Sequence, residues 1–207
     1  MHALIVVSNP NPTSFSAAVA ARLRDGLVSA GHTVEIADLA AEGFDPRMSH
    51  TDLEYFWGRE PVPADVRREQ ERVDRADALF LIWPLYWWQM PALMKGWIDR
   101  VFQMSWAYGY TADGVLTGLL RDRPVHAIVH GETDAPGADK RGYRNAILTL
   151  VDGIFGFCGM KRHQTTFLFE VLSEDAKIRE AHLETVYGIG QSALAEEAAA
   201  SPQLAGA

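Results

Sequence analysis

The chain has 207 residues, 48% of them hydrophobic and 22% charged, which suits one well-buried core: a single domain over residues 1–200 with a flexible tail at 201–207. A net charge of −8 disfavours nonspecific nucleic-acid binding, which needs a basic face to displace counterions. No apolar run approaches the roughly 18 residues of a membrane span, and no basic flank or cleavage pattern marks an export signal. The lone Cys158 cannot form an internal disulfide, so the expectation is a cytoplasmic protein that is not membrane-embedded. Phe155, Phe157 and Met160 surround that cysteine, which favours a buried small residue over a nucleophile.

The first expected strand, Leu4 to Ser8, is a short apolar run feeding the loop Asn9-Pro10-Asn11-Pro12-Thr13-Ser14. Thr13 or Ser14 caps a helix in which Val19, Leu23 and Leu27 recur at helical spacing and which Gly31 stops. Thr33 to Leu39 alternates like a half-buried edge strand. Ala40 to Pro63 is irregular and rich in Gly, Pro and aromatic residues, a composition that suits a pocket wall or a dimer interface. A helix over Ala64–Arg75 then delivers a third strand, Ala78 to Trp83, followed by an aromatic loop and a helix from Ala92 to about Met104. After an excursion through Trp106, Tyr108 and Tyr110 come a fourth strand, Val125 to Val129, and the loop His130 to Gly137. A helix over about Gly142–Phe157, a fifth strand near Gln164–Phe169 and a helix from Ser173 to about Ala198 complete the chain.

Five strands alternating with helices predict an α/β fold: a doubly wound, five-stranded parallel sheet in the flavodoxin-like order 2-1-3-4-5, with helices on both faces. In that order the ligand lies where the winding reverses, outside the carboxyl ends of the first and third strands. Those ends are Ser8–Ser16 and Pro84–Pro91, with the fourth-strand loop at His130 beside them.

The first loop offers hydroxyls and free amides at a helix N-terminus, a setting that favours an anion and that also fits plain capping. The second carries Tyr86, Trp87 and Trp88 between two prolines where an ordinary turn uses Gly, Asn or Asp. Three such rings cap a core or an interface, or form a ligand wall. No Gly-x-Gly-x-x-Gly, P-loop, metal-ligand cluster or Gly-x-Ser-x-Gly elbow is present. A phosphate-suited loop beside a ring-suited loop matches a flavin nucleotide.

The run Pro84-Leu85-x-Trp87-x-x-x-Pro91-Ala92-x-x-Lys95-Gly96-Trp97-x-Asp99-Arg100-Val101-Phe102 closely resembles the central motif of the NAD(P)H:quinone oxidoreductases, the DT-diaphorase-like enzymes. Asn9 to Ser16 resembles that family's first flavin loop, and Gly153-Ile154-Phe155-x-Phe157-Cys158-Gly159 resembles the end of its fourth helix. The resemblance implies a homodimer with active sites at the interface, each holding FAD, or FMN as in some relatives. NAD(P)H and a quinone-like acceptor alternate on one face in two-electron, ping-pong hydride transfer. It also implies Ser8, Thr13, Ser14, Phe15 and Ser16 at the phosphates and ribityl chain, Pro84, Leu85, Tyr86, Trp87 and Trp88 along the ring, and His130, Gly131 and Glu132 at its pyrimidine side. Trp88 and Met90 are left to face substrate or the second subunit.

Three departures stand out. Ser8 replaces a common His, Val129-His130-Gly131-Glu132 replaces a common Thr-Thr-Gly-Gly, and Asp134 and Lys140 occupy the places of the Tyr and His that assist hydride transfer in well-known members. Reduced flavin carries negative charge near N1 and O2, and Lys140, Tyr143 and His130 are the expected catalytic groups there. Azo- or nitroaromatic reduction, a flavin-bearing regulatory subunit of a potassium-efflux system, and a one-electron flavodoxin carrier are the alternatives.

Overall fold

The computed structural model describes residues 1–194. Its strands are β1 (His2–Val7), β2 (Thr33–Asp38), β3 (Ala78–Pro84), β4 (Tyr108–Tyr110), β5 (Leu116–Gly118), β6 (Val125–His130) and β7 (His163–Leu168). Its helices are α1 (Phe15–Ser29), α2 (His50–Phe56), α3 (Ala64–Arg75), α4 (Ala92–Val101), α5 (Ala135–Lys140), α6 (Tyr143–Val151) and α7 (Ala176–Ser192). Five strands form one parallel sheet in the order β2-β1-β3-β6-β7, while β4 and β5 pair apart from it as a small antiparallel hairpin. Setting the hairpin aside, this is the expected 2-1-3-4-5 order.

The central strands are buried on both faces, which is why β3 reads as a continuous apolar run rather than an alternation. Successive residues serve opposite layers. Leu79, Leu81 and Trp83 pack with Trp97 of α4 and Ile147 of α6, whereas Ala78, Phe80 and Ile82 pack with Leu23 of α1 and Val186 of α7. Each of the fully buried Leu, Ile, Val and Phe side chains contributes roughly 1.5–3 kcal/mol of transfer free energy. Helices α1 and α7 approach closely because a Cβ on Gly26 would overlap the Tyr187 carbonyl and one on Gly190 would meet the Leu23 carbonyl.

The segment expected to be irregular from Ala40 to Pro63 contains α2, started by a capping box in which Ser49 and Asp52 bond each other's backbone amides. Asp52 is fully buried, and both its oxygens accept from Arg100 Nε at 3.1 Å; Arg100 Nη1 also donates to Asp65 and to the Asp45 carbonyl. Arg100 thereby fastens the segment to α4. Gly96 permits this packing, since a Cβ there would overlap Pro46.

The helix expected over Gly142–Phe157 is divided: α6 ends at Val151 and passes into a π-turn at Asp152–Gly156. A separate short helix, α5, precedes it, and Gly142 links the two in the left-handed conformation at φ 74°. The expected end of the last helix at Ala198 and the tail at 201–207 lie outside the described residues. No described helix is long and apolar enough to cross a membrane, and no described group of His, Cys, Asp and Glu has metal-site geometry.

Candidate functional site

Loops at the carboxyl edge of the sheet are held by hydrogen bonds that extend its ladder. Leu85 N–H donates to the His130 carbonyl at 2.8 Å, Gly131 N–H to Leu168 at 2.9 Å, and Val171 N–H to Gly131 at 3.2 Å. Two cavities open between these loops. One, of about 400 Å³, runs from Asn9, Asn11, Ser14 and Phe15 to Pro84, Leu85 and Tyr86, with His130, Gly131, Glu132, Val171 and Leu172 opposite. The other, of about 390 Å³, is bounded by Leu85, Trp87, Trp88, Gly131, Glu132, Thr133, Arg141 and Tyr143. Leu85, Gly131 and Glu132 border both, so the two lie side by side in one recess.

The first loop is shaped by its own side chains. Asn9 Oδ1 accepts from Asn11 N–H at 3.0 Å, and Asn11 Oδ1 accepts from Thr13 N–H at 3.0 Å and from the Thr13 hydroxyl at 2.8 Å. Ser14 caps α1 by accepting from Ala17 N–H. The amides of Phe15 and Ser16 open that helix, where geometry leaves them without intrahelical carbonyls. At this end of the recess the helix therefore presents donors and a positive partial charge.

The second loop is a two-residue turn. Tyr86 and Gln89 exchange backbone hydrogen bonds of 3.0 and 2.9 Å, with Trp87 and Trp88 between them at φ 47° and 62°. Both tryptophans occupy left-handed backbone that costs a side-chain-bearing residue about 1–2 kcal/mol. Trp88 is fixed: its Nε1 donates to the Arg141 carbonyl at 2.7 Å and its ring meets Tyr143 edge-on at 4.7 Å. Trp87 stacks beside Trp88 and is 87% exposed.

Among the expected site residues, Ser14, Phe15, Pro84, Leu85, Tyr86, Trp87, Trp88, His130, Gly131, Glu132 and Tyr143 line the recess. Ser8 and Ser16 are buried beneath it, and Thr13 turns its hydroxyl back to Asn11. Lys140 is exposed at the end of α5 and is not among the lining residues. Met90 is 4% exposed and packs in the core, which corrects the expectation that it faces substrate or a second subunit.

His130 belongs to the α1 end of the recess rather than its aromatic end. Its Nε2 lies 2.7 Å from Ser16 Oγ and its ring meets Phe15 edge-on. Burial lowers its pKa to about 4, so it is neutral at pH 7. Cys158 is buried, and desolvation raises its pKa to about 11, as the sequence environment led one to expect. Asn9, Asn11 and Thr133 were not named as site residues from sequence, and Arg141 stood out there only as one of a local basic group, with Lys140 and Arg144, suited to phosphate. The Asx-turn spacing Asn9-x-Asn11-x-Thr13 was a usable signal for the first two.

Fold and recess together define a doubly wound α/β protein with a site at its switch point that is anion-suited at one end and aromatic at the other. Residues 1–187 match the flavodoxin-like fold family. An NAD(P)H oxidoreductase of Haemophilus influenzae is 28% identical over 186 residues, 89% of this chain and 91% of that one. A ribosyldihydronicotinamide dehydrogenase [quinone] of Pongo abelii is 30% identical, with 84% of each chain covered. The solved NAD(P)H:quinone oxidoreductase of Methanothermobacter marburgensis superposes with a TM-score of 0.84 at 31% identity, covering 93% of this chain and 96% of that one. The chain belongs to the flavodoxin-like fold family, in its quinone-reducing NAD(P)H oxidoreductase branch.

Proposed function

We propose that the protein binds a flavin nucleotide in the recess and uses it to carry two electrons from NAD(P)H to a quinone-like aromatic acceptor. The observation that carries this reading is that the two cavities adjoin, with helix-start amides at one end and a wall of Trp87, Trp88 and Tyr143 at the other. The residues present fit the group. Ser14 and the amides at the start of α1 suit a phosphate, while Leu85 and the aromatic turn suit a flat ring. The flavin supplies reversible hydride chemistry when bound. The chain's own residues orient the ring, exclude water from one of its faces and hold charge near its edge. Glu132 adds an acceptor for a ring N–H.

The same reading includes a homodimer. An apolar groove of about 530 Å³ lined by Met48, Leu53, Phe56, Phe102, Tyr108 and Phe157, with the exposed Tyr110 and Leu119 on and beside the hairpin, supports a surface that a second copy covers. FAD and FMN are both compatible with the first loop, and FAD is the form carried by the sequence resemblance.

The test uses the purified full-length protein. The expected result is a flavin absorption band, retained or acquired on adding FAD or FMN, that bleaches with NAD(P)H and recovers with a soluble quinone, together with a dimeric mass by light scattering. Folded protein that neither carries nor takes up flavin refutes the reading.

A further inference from the structure

Among the described residues lining the two cavities, Arg141 is the one Lys or Arg. Its Nη1 is placed by two long contacts, 3.3 Å to Thr133 Oγ1 and 3.4 Å to the Gly137 carbonyl. Gly137 makes room for it, since a Cβ there would stand 2.8 Å from Nη1 and 2.7 Å from Thr133 Oγ1. The backbone carbonyl of Arg141 anchors Trp88 Nε1, which couples the position of this residue to the aromatic wall. No ion pair to Arg141 is formed among the described residues, although Asp134 Oδ1 and Arg141 Nη1 both lie within 2.8 Å of where a Cβ on Gly137 would stand. The other candidates for a cation fail on geometry. Lys140 lies outside the recess, and His130 is turned into the Ser16 and Phe15 packing. Tyr143 is on the wall but carries no charge, and Glu132 adds a negative one.

We propose that Arg141 is the residue that stabilises the negative charge placed on the ring when the bound flavin is reduced. This rests on the flavin reading above. Two electrons and one proton leave the reduced nicotinamide together as hydride, the nicotinamide departs oxidised, and the ring side gains one negative charge at its pyrimidine edge. Arg141 meets that charge with a planar set of donors that stays protonated throughout the working pH range. Glu132 on the same wall opposes the added charge, so the guanidinium also offsets the protein's own carboxylate.

The experiment measures the two-electron midpoint potential of the flavin-loaded full chain against reference dyes, across pH, for the wild type, Arg141→Ala, Arg141→Lys and Lys140→Ala. Arg141→Ala is expected to disfavour reduction about tenfold, a shift of about 30 mV to more negative potential for a two-electron couple. Its potential is also expected to steepen with pH, from about 30 toward about 60 mV per unit, as a second proton replaces the lost counter-charge. Arg141→Lys recovers most of the shift, and Lys140→Ala matches the wild type. Because Trp88 bonds the backbone of residue 141, its tether survives substitution. Should Arg141→Ala release the ring, the ratio of its dissociation constants for oxidised and reduced flavin gives the same quantity, expected to move tenfold toward the oxidised form. An unchanged potential and slope in Arg141→Ala that still binds flavin overturn this inference alone. A wild type that takes up no flavin overturns it together with the flavin reading.

Discussion

At position 87 the structure reverses the usual order of alanine and glycine. Trp87 sits at φ 47° in a tight turn whose second central residue, Trp88, is also left-handed at φ 62°. Turns of this kind favour Asn-Gly because glycine has no Cβ to clash. Replacing Trp87 by Ala keeps the Cβ and its penalty of about 1–2 kcal/mol, whereas Gly removes it. Against that gain stands the larger freedom of glycine in the unfolded chain, about 0.4–1 kcal/mol. Trp87→Gly should therefore be more stable than Trp87→Ala by about 0.5–1 kcal/mol, or roughly 1–4 °C in Tm for a chain of this size. Both variants lose the Trp87–Trp88 stack, so the comparison isolates backbone strain. Function separates from stability here. If one face of the indole covers about 80 Å² of ring, each truncation weakens flavin binding by about 2 kcal/mol, roughly thirtyfold in Kd. Urea or thermal unfolding of the flavin-free variants and fluorescence titration with flavin supply both readouts. An alanine variant as stable as the glycine variant would refute the strain argument. Flavin affinity unchanged in both would assign Trp87 to a subunit or surface contact instead.

Burial holds His126 and His130 at pKa values of about 4, against about 6.5 in an unfolded chain. The unfolded state thus binds more protons between those values, so stability is fully present above pH 6.5 and falls as pH drops toward 4, at up to about 1.4 kcal/mol per unit for each histidine. His126→Gln should flatten the urea-measured slope between pH 6.5 and 4.5 by about one histidine's share, and an unaltered slope would count against it. Asp52→Ala leaves Arg100 buried with half its partners, so a loss of about 3 kcal/mol is expected in denaturant unfolding. Gly137→Ala crowds Asp134, Thr133 and Arg141 at once, and about 1–3 kcal/mol of destabilisation with a shifted Trp88 fluorescence is expected. Wild-type stability and emission in that variant would show that the loop relaxes freely.

The parallel sheet was legible because its central strands are apolar throughout and are spaced by helices; the order expected was the flavodoxin-like one, and the two loops of unusual composition fall where that order reverses. Shorter elements were less visible. The three-residue strands β4 and β5 carry too little periodicity to stand out, although Tyr108 and Tyr110 share one face of β4. Helix α2 had a readable start in Ser49-x-x-Asp52, obscured by the surrounding Gly and Pro residues. The π-turn after α6 has no local signature, since it continues helical backbone with one residue more per turn.

The difference between Lys140 and Arg141 shows where sequence reading stopped within the site itself. Adjacent residues on a helix point about 100° apart, so knowing that a basic pair follows the fourth strand does not say which of the two faces the ligand. The phase of α5 is set by tertiary contacts: the Asp134 cap on Gly137 N–H, the left-handed exit at Gly142, and Trp88 reaching across to the Arg141 carbonyl. The same limit applies to the motif that carried the family resemblance. Its Gly96, Trp97 and Arg100 secure α4 to Pro46, Glu69 and Asp52, and only its opening residues, Pro84 to Trp88, reach the recess. A motif can therefore be specific for a family while most of its residues hold the scaffold. In the reading proposed above, the chemistry is adjusted by Glu132, in the stretch Val129–Glu132 where the chain departs from the family pattern, and by Arg141, which caps α5 beyond it.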